Sequence, residues 1–432
     1  MTSPRRFEQD LPVLLETMYL AGTPDYRDDI VRQVAGTRQR PVWAFPERWL
    51  PVDMTTTHLA TPRIPWRALS LIAVLGLLLA ALVALVGSQR QPPPPFGLAA
   101  NGRVTFIDAQ GSIVVGDVLT GLSEVLVTGP GLSRPVFSPA GTDIAFARQD
   151  EDGRMDVVVV DLATAVERVV STEGRREIGH LGWTPDDGSV VVSVFGGLYF
   201  LDAAGGGETR LLDAGYEPVT VFGNDGFNAD LSDLFRPLDG AEILYIARDG
   251  SDHDLVLLDR ATGMTTTLLA QQTAQVSYNE ITSAQWSPDG SMIAMTLFDI
   301  EHGDYLVYIM DADGSDLRRL VESDVRAGRS EAHPAWSPDG TRIALMRWYL
   351  GEDTPDARPL TVVHVDRGDQ VEMEIASPNG YVGFSWSPDG TSLMFVPDAD
   401  RDIVIADAAT GAITHEQSFF TDEPVTWQRT AP

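Results

Sequence analysis

Hydrophobic and polar positions follow two different rhythms along this chain. Between residues 68 and 86 the run "ALSLIAVLGLLLAALVALV" is apolar nearly throughout, and no charge stands between 68 and 89. About twenty residues at about 1.5 Å each cover about 30 Å, the thickness of bilayer hydrocarbon. A buried core helix is rarely apolar on every side, and a cleaved leader would lie at the start of the chain. The run therefore predicts a transmembrane helix over 68–87. Beyond residue 99 the rhythm shortens. Apolar stretches such as "DIAFA", "LVLLD" and "RIALM" alternate with turn residues, the pattern of buried strands joined by tight hairpins.

The strands come in a repeated phrase. "WSPDG" opens at Trp286, Trp336 and Trp386, and weaker copies open at Phe137, Trp183 and Phe235. A truncated copy, "VTWQRTAP", carries Trp427. In Ser-Pro-Asp-Gly the proline presets φ, the aspartate bonds its own backbone and the glycine accepts φ > 0, so the phrase is a turn. The aromatic before it is expected to pack between sheets. A second phrase, a strand ending in Asp and small residues, recurs at Asp117, Asp161, Asp202, Asp259, Asp311, Asp366 and Asp407. The two series alternate strictly. The Asp series comes first and the aromatic series comes last. Seven units arise only if Trp427 joins the strands near 102–121. Repeats of about 40–50 residues with several strands each are propeller blades, and a ring closed by both chain ends removes free sheet edges. The expectation is an all-β, seven-bladed β-propeller over 99–432, with six or eight blades as alternatives.

"WSPDGTRIALM" and "VYIMDADGSDLRRL" resemble the repeats of TolB-like propellers, the modules also found in prolyl-oligopeptidase-type proteins. The resemblance covers 99–432 and implies the fold; function is decided by sites placed on it. TolB resembles a six-bladed ring, so a count of seven departs from it.

Charge and composition narrow the function. The 432 residues hold no lysine, so all 31 basic residues are arginine; against 62 acids the net charge is −31. That balance argues against a nucleic-acid partner. Cysteine is absent, which excludes disulfides and thiol chemistry. Arg48, Arg63 and Arg67 precede the apolar run closely and Arg90 and Arg103 follow it, which favours a cytoplasmic N-terminus and an extracytoplasmic propeller in the cell membrane. "QPPPPFG" over 91–97 reads as a stiff spacer within the linker 88–98.

Residues 1–67 read as a short helical arm with too few apolar groups to build a core of its own, suited to folding on a partner. Its phrase "TRQRPVWAFPERWLP" resembles the cytoplasmic segment of membrane proteins that accompany extracytoplasmic-function sigma factors. The resemblance implies an anti-sigma-like contact through Arg38, Arg40, Trp43, Phe45 and Trp49, without the His/Cys zinc motif of many such proteins.

No catalytic signature emerges. "DADGSD" at 311–316 and "DADRD" at 398–402 lack the glycine and glutamate an EF-hand needs at positions six and twelve. "GFSWS" at 383–387 ends in Ser where a nucleophile elbow needs Gly. "GSDHD" at 250–254 sets Ser, Asp and His in tandem, whereas triads assemble in space. Because the sequence stops at Pro432, no hydrolase domain of the prolyl-oligopeptidase kind is expected beside the propeller. "MRWYLGEDTPDARP" at 346–359 reads as an exposed insertion offering Arg347, Trp348 and Tyr349 to a partner. The sequence thus predicts a membrane-anchored sensor or scaffold that is not an enzyme. It predicts protein partners on one or both sides of the membrane, no identifiable small-molecule substrate, and neither cofactor nor metal. The alternatives are a TolB-like envelope scaffold without signalling, or an enzyme acting on sugars or peptides.

Overall fold

The computed structural model describes residues 96–431, apart from 172–177, 195–196, 213–215, 219–230, 238–239, 250–251, 272–275, 322–328, 350–357, 378–380, 399–400, 419–420 and 422–424. The arm 1–67, the apolar run 68–87 and most of the linker lie outside these residues. Among the described residues no helix is long and apolar enough to cross a membrane.

Strands dominate, gathered into seven four-stranded antiparallel sheets. Six sheets are continuous in sequence: blade 2 (132–169), blade 3 (181–212), blade 4 (216–269), blade 5 (278–319), blade 6 (329–377) and blade 7 (381–417). Blade 1 is composite. The C-terminal strand Thr426–Thr430 lies innermost against Ala100–Ile107, with Val104 opposite Trp427 and Ala100 opposite Thr430. The seven-bladed count and the closure by both chain ends, expected from the offset of the two phrase series, are therefore seen directly.

Burial explains why the strands read as unbroken apolar runs. The two middle strands of a blade are covered on both faces by neighbouring blades, so they gain by being apolar at every position. In blade 2, Ile144–Ala147 and Val157–Val160 are fully buried. Two of the outermost strands are very short: Glu167–Val169 has three residues and Arg318–Arg319 has two. Short outer strands limit edge-to-edge pairing.

The repeated turns close as their chemistry dictates. In blade 5 the Gly290 amide donates to the Ser287 carbonyl (2.8 Å), the Ser287 hydroxyl donates to Asp289 (2.6 Å), and Gly290 takes a φ of 68°. Blades 6 and 7 repeat the pattern at Ser337–Asp339 and Ser387–Asp389. Burial alone would raise the Asp339 carboxyl. Donation from the Ser337 hydroxyl and from Thr341, with Arg342 beside it, holds it down at about 2. The hairpin aspartates Asp117, Asp161, Asp259 and Asp407 each accept two backbone amides, two and three residues ahead.

Blade 4 departs from the others. Among the described residues, Tyr216–Pro218 pairs with 245–247, and Phe235 pairs with Ile243 in an isolated bridge. Between them stands a 3-10 turn, Leu231–Leu234, whose two leucines are buried.

Candidate binding cavity in the central channel

The residues just before each Ser-Pro-Asp-Gly turn lie on innermost strands, so all of them converge on the ring axis. Phe137, Trp183, Phe235, Trp286, Trp336 and Trp386 are all at most 8% exposed, and Trp427 is half-buried. Three tryptophans tie their blade to the one before. Trp183 Nε1 donates to the Val136 carbonyl (3.3 Å), Trp336 Nε1 to the Gln285 carbonyl (3.3 Å) and Trp386 Nε1 to the Ala335 carbonyl (2.9 Å). The acceptor is each time the residue immediately before the preceding blade's aromatic. Arginines add one joint, between blades 4 and 5, and reinforce the one between blades 6 and 7. Arg236 stacks on Trp286 at 5.1 Å and donates to the Gly290 carbonyl; Arg342 stacks on Trp386 at 4.9 Å and donates to the Gly390 carbonyl.

Trp286 and Trp427 break the pattern. Their indole nitrogens are buried and have no hydrogen-bond partner among the described residues. For Trp286 the cause is blade 4: Leu234, which would offer the carbonyl, belongs to the inserted 3-10 turn rather than to a strand.

Phe137, Phe235, Trp286, Trp336, Trp386 and Trp427 wall a cavity of about 310 Å³, to which every blade contributes. Its surface is mostly aromatic and proline, including Phe235, Trp286, Pro288, Pro338, Trp386 and Pro388. Polar groups are few and placed. The 3-10 turn crosses from blade 3 to blade 5: the Ser232 hydroxyl accepts from Trp183 N (2.8 Å), and Asp233 accepts from Gln285 Nε2 (2.7 Å). The turn fits because blade 3 has Gly182 there; a Cβ at that position would stand 2.4 Å from the Ser232 nitrogen. Arg134 lines the wall from a bulge in which its φ is 57°. Its guanidinium lies 3.4 Å from His180 Nδ1. Burial, and next the Arg134 charge, push the His180 imidazole down to about 4, so it is neutral and faces the guanidinium with a lone pair. Arg429, on the C-terminal strand, also lines the cavity, and burial pushes its guanidinium down to about 10. A chain of net charge −31 thus places two arginines in this cavity.

The cavity also holds the first described residues of the chain. Phe96 and Gly97 line it; Arg429 Nη2 donates to the Gly97 carbonyl, and Ala99 N donates to the Pro388 carbonyl (2.9 Å).

The residues singled out from sequence fall elsewhere. Arg38, Arg40, Trp43, Phe45 and Trp49 lie outside the described residues. Arg347, read as exposed, is 2% exposed and forms ion pairs with Glu331 (3.0 Å) and Glu372 (3.5 Å). The reason is strand length: Arg342–Tyr349 is continuous, so Arg347, Trp348 and Tyr349 are ladder positions and not an insertion. Ser385 is a strand residue, its hydroxyl 3.5 Å from the Val425 carbonyl, and Asp313 caps its own hairpin by accepting from Ser315. Among the described residues no group of three or more His, Cys, Asp or Glu could hold a metal ion.

Arg134, His180 and Asp233 went unnoticed in the sequence. Arg134 and His180 each stand three residues before the blade aromatic, as do Ser232, Ser283 and His333. A polar residue at that fixed offset was the available signal.

No protein-family model matches the chain, and no curated protein does. Solved structures do. An oligogalacturonate lyase in complex with manganese superposes with a TM-score of 0.51 at 17% identity, covering 74% of this chain and 85% of that one. A prolyl endopeptidase superposes with a TM-score of 0.52 at 15% identity over 79% of this chain, which spans only 52% of the endopeptidase. TolB from Acinetobacter baumannii gives 0.45 at 15% identity, over 77% of this chain and 81% of its own. At these identities the likeness is one of fold alone, that of a β-propeller. It also corrects the expectation that the chain is not an enzyme. That expectation leaned on where the sequence stops, yet the fold is shared over 85% of the length of an oligogalacturonate lyase. The propeller fold does not exclude catalysis or a substrate.

Proposed function

We propose that this protein is a membrane-anchored β-propeller that binds an apolar, proline- or aromatic-rich segment of a partner protein in its central cavity. One observation carries the reading: every blade contributes to a cavity of about 310 Å³ that is walled by aromatics and prolines and holds few polar groups. Such concave, preformed, largely apolar sites with sparse polar anchors are where ligands bind. Aromatic-lined surfaces suit polyproline segments, which are stiff and lose little entropy on docking. The apolar run 68–87 supports the anchor, and the arginines around it support an extracytoplasmic propeller.

The test is co-purification of the full chain from its native host, with wild type set against Ser385→Trp, which fills the cavity from its wall. A partner retained by wild type and lost by the variant, with the thermal melt unchanged, is the expected result. Equal retention by both refutes binding at the cavity. The arm belongs to the same proposal. Its "RPVWAFPERWLP" supports reporting to a sigma-type factor, and the triple change Trp43→Ala, Phe45→Ala and Trp49→Ala removes that factor from the eluate while leaving the cavity's partner.

A further inference from the structure

The charge lining the cavity runs against the charge of the chain. Over the whole sequence 62 acids stand against 31 arginines, yet the described lining holds two arginines, Arg134 and Arg429, and one acid, Asp233. Asp233 already accepts from Gln285 Nε2 at 2.7 Å. Building on the cavity as a binding site, we propose that Arg134 reads a carboxylate on the bound segment. The ligand is then an apolar segment that carries an acid, at its chain end or on a side chain.

The backbone presents Arg134 against its own preferences. Among the described lining residues it is the one non-glycine with a left-handed φ, 57°, and it precedes Pro135, which favours an extended residue before it. The register shift between Ser133 and Val136 is the bulge that holds it there. Bulges re-aim side chains, and strain of this kind collects where a side chain must meet a ligand. Blade 6 serves as a control. Its bulge holds His333 at a φ of 55°, also before a proline, but His333 does not line the cavity. The bulge is thus a recurring device, and blade 2 uses it to set a guanidinium in the wall. Other arginines of the ring serve its structure: Arg236 and Arg342 lie on the tryptophans of blade joints, and Arg347 is matched by Glu331 and Glu372. Uncharged acceptors orient the two in the cavity: His180 Nδ1 lies 3.4 Å from the Arg134 guanidinium, and the Gly97 carbonyl accepts from Arg429. An uncharged acceptor turns a guanidinium without cancelling its charge. The guanidinium fork matches a carboxylate, and an apolar wall strengthens the pair relative to water. The aromatics and prolines supply contact area, and Arg134 supplies the polar anchor that sets orientation.

The experiment uses the full chain in detergent micelles and three fluorescent peptides that share one proline- and tryptophan-rich core. The first ends in a free carboxylate and the second in an amide. The third also ends in an amide but carries a glutamate. Binding is read by anisotropy. We expect wild type to bind at least one acidic peptide about tenfold or more tightly than the neutral one, as a charge-assisted pair requires. Preference for the first alone identifies a chain end as the group read; preference for the third identifies an acidic side chain. Arg134→Gln should remove the preference, with the thermal midpoint kept. Arg134→Lys keeps the charge without the fork and should cut the preference severalfold; it decides the matter if the glutamine variant fails to fold. Equal binding of all three peptides by wild type, or a preference left at its full value by the substitution, overturns the carboxylate and leaves the cavity as a binding site. Absence of binding by every peptide overturns both.

Discussion

Replacing Trp386 by Phe isolates what holds one blade to the next. The indole nitrogen donates to the Ala335 carbonyl at 2.9 Å, inside a site where Trp386 is 8% exposed and Ala335 is 7% exposed. Phenylalanine keeps the apolar body but removes the donor. The orphaned buried carbonyl then costs about 1–3 kcal/mol. The smaller ring also gives up about 1 kcal/mol of buried area and of stacking against Arg342. The sum is a loss of roughly 2–4 kcal/mol. At about 2–4 °C per kcal/mol for a large domain, the midpoint should fall by roughly 4–16 °C. The assay is thermal unfolding of the full chain followed by near-ultraviolet circular dichroism. Trp183→Phe removes the equivalent bond between blades 2 and 3, at a site remote in sequence from the first, so the double variant should lose the sum of the two. A midpoint shift below about 1 °C for Trp386→Phe would refute the staple and leave the tryptophans as ordinary core residues.

Other expectations follow from the same geometry. Arg347→Met leaves Glu331 buried without its cation and should cost about 3–5 kcal/mol in chemical denaturation, where an exposed contact residue would cost almost nothing. Gly182→Ala drives a methyl group into the backbone of the Leu231–Leu234 turn and should destabilise by about 1–3 kcal/mol, read in the same unfolding curves. His180 gives a pH dependence. Its folded value near 4 lies below the ordinary 6.5, so the unfolded chain takes up a proton that the folded chain refuses. Stability should therefore fall as pH drops from 6.5 towards 4, by on the order of 3 kcal/mol, and His180→Asn should flatten that part of the profile.

The architecture was legible because its signals are repeated and local. Ser-Pro-Asp-Gly can hardly be anything but a turn, and the alternation of two phrases carried both the blade count and the need for Trp427 to close blade 1 against Ala100–Ile107. The site was legible only as its frame. Its aromatics and prolines stand inside the repeated phrase, but Arg134, His180 and Asp233 are single residues whose meaning depends on partners 46 and 52 positions away. Arg347 misled for a related reason. A run of Arg, Trp and Tyr followed by acids and proline looks like a surface loop, and only the pairing with Glu331 across the ladder shows why a buried strand tolerates an arginine. Blade 4 hid its most consequential feature in an insertion: the turn that brings Asp233 into the channel also deprives Trp286 of its acceptor.

The measurement closest to the central claim is a fluorine spectrum of the full chain, labelled with 5-fluorotryptophan and titrated with a synthetic proline- and aromatic-rich peptide. Binding in the central cavity predicts saturable shifts of Trp286 and Trp427, with Trp348 unaffected. Shifts confined to Trp348, or none at all, would contradict a binding site in the channel.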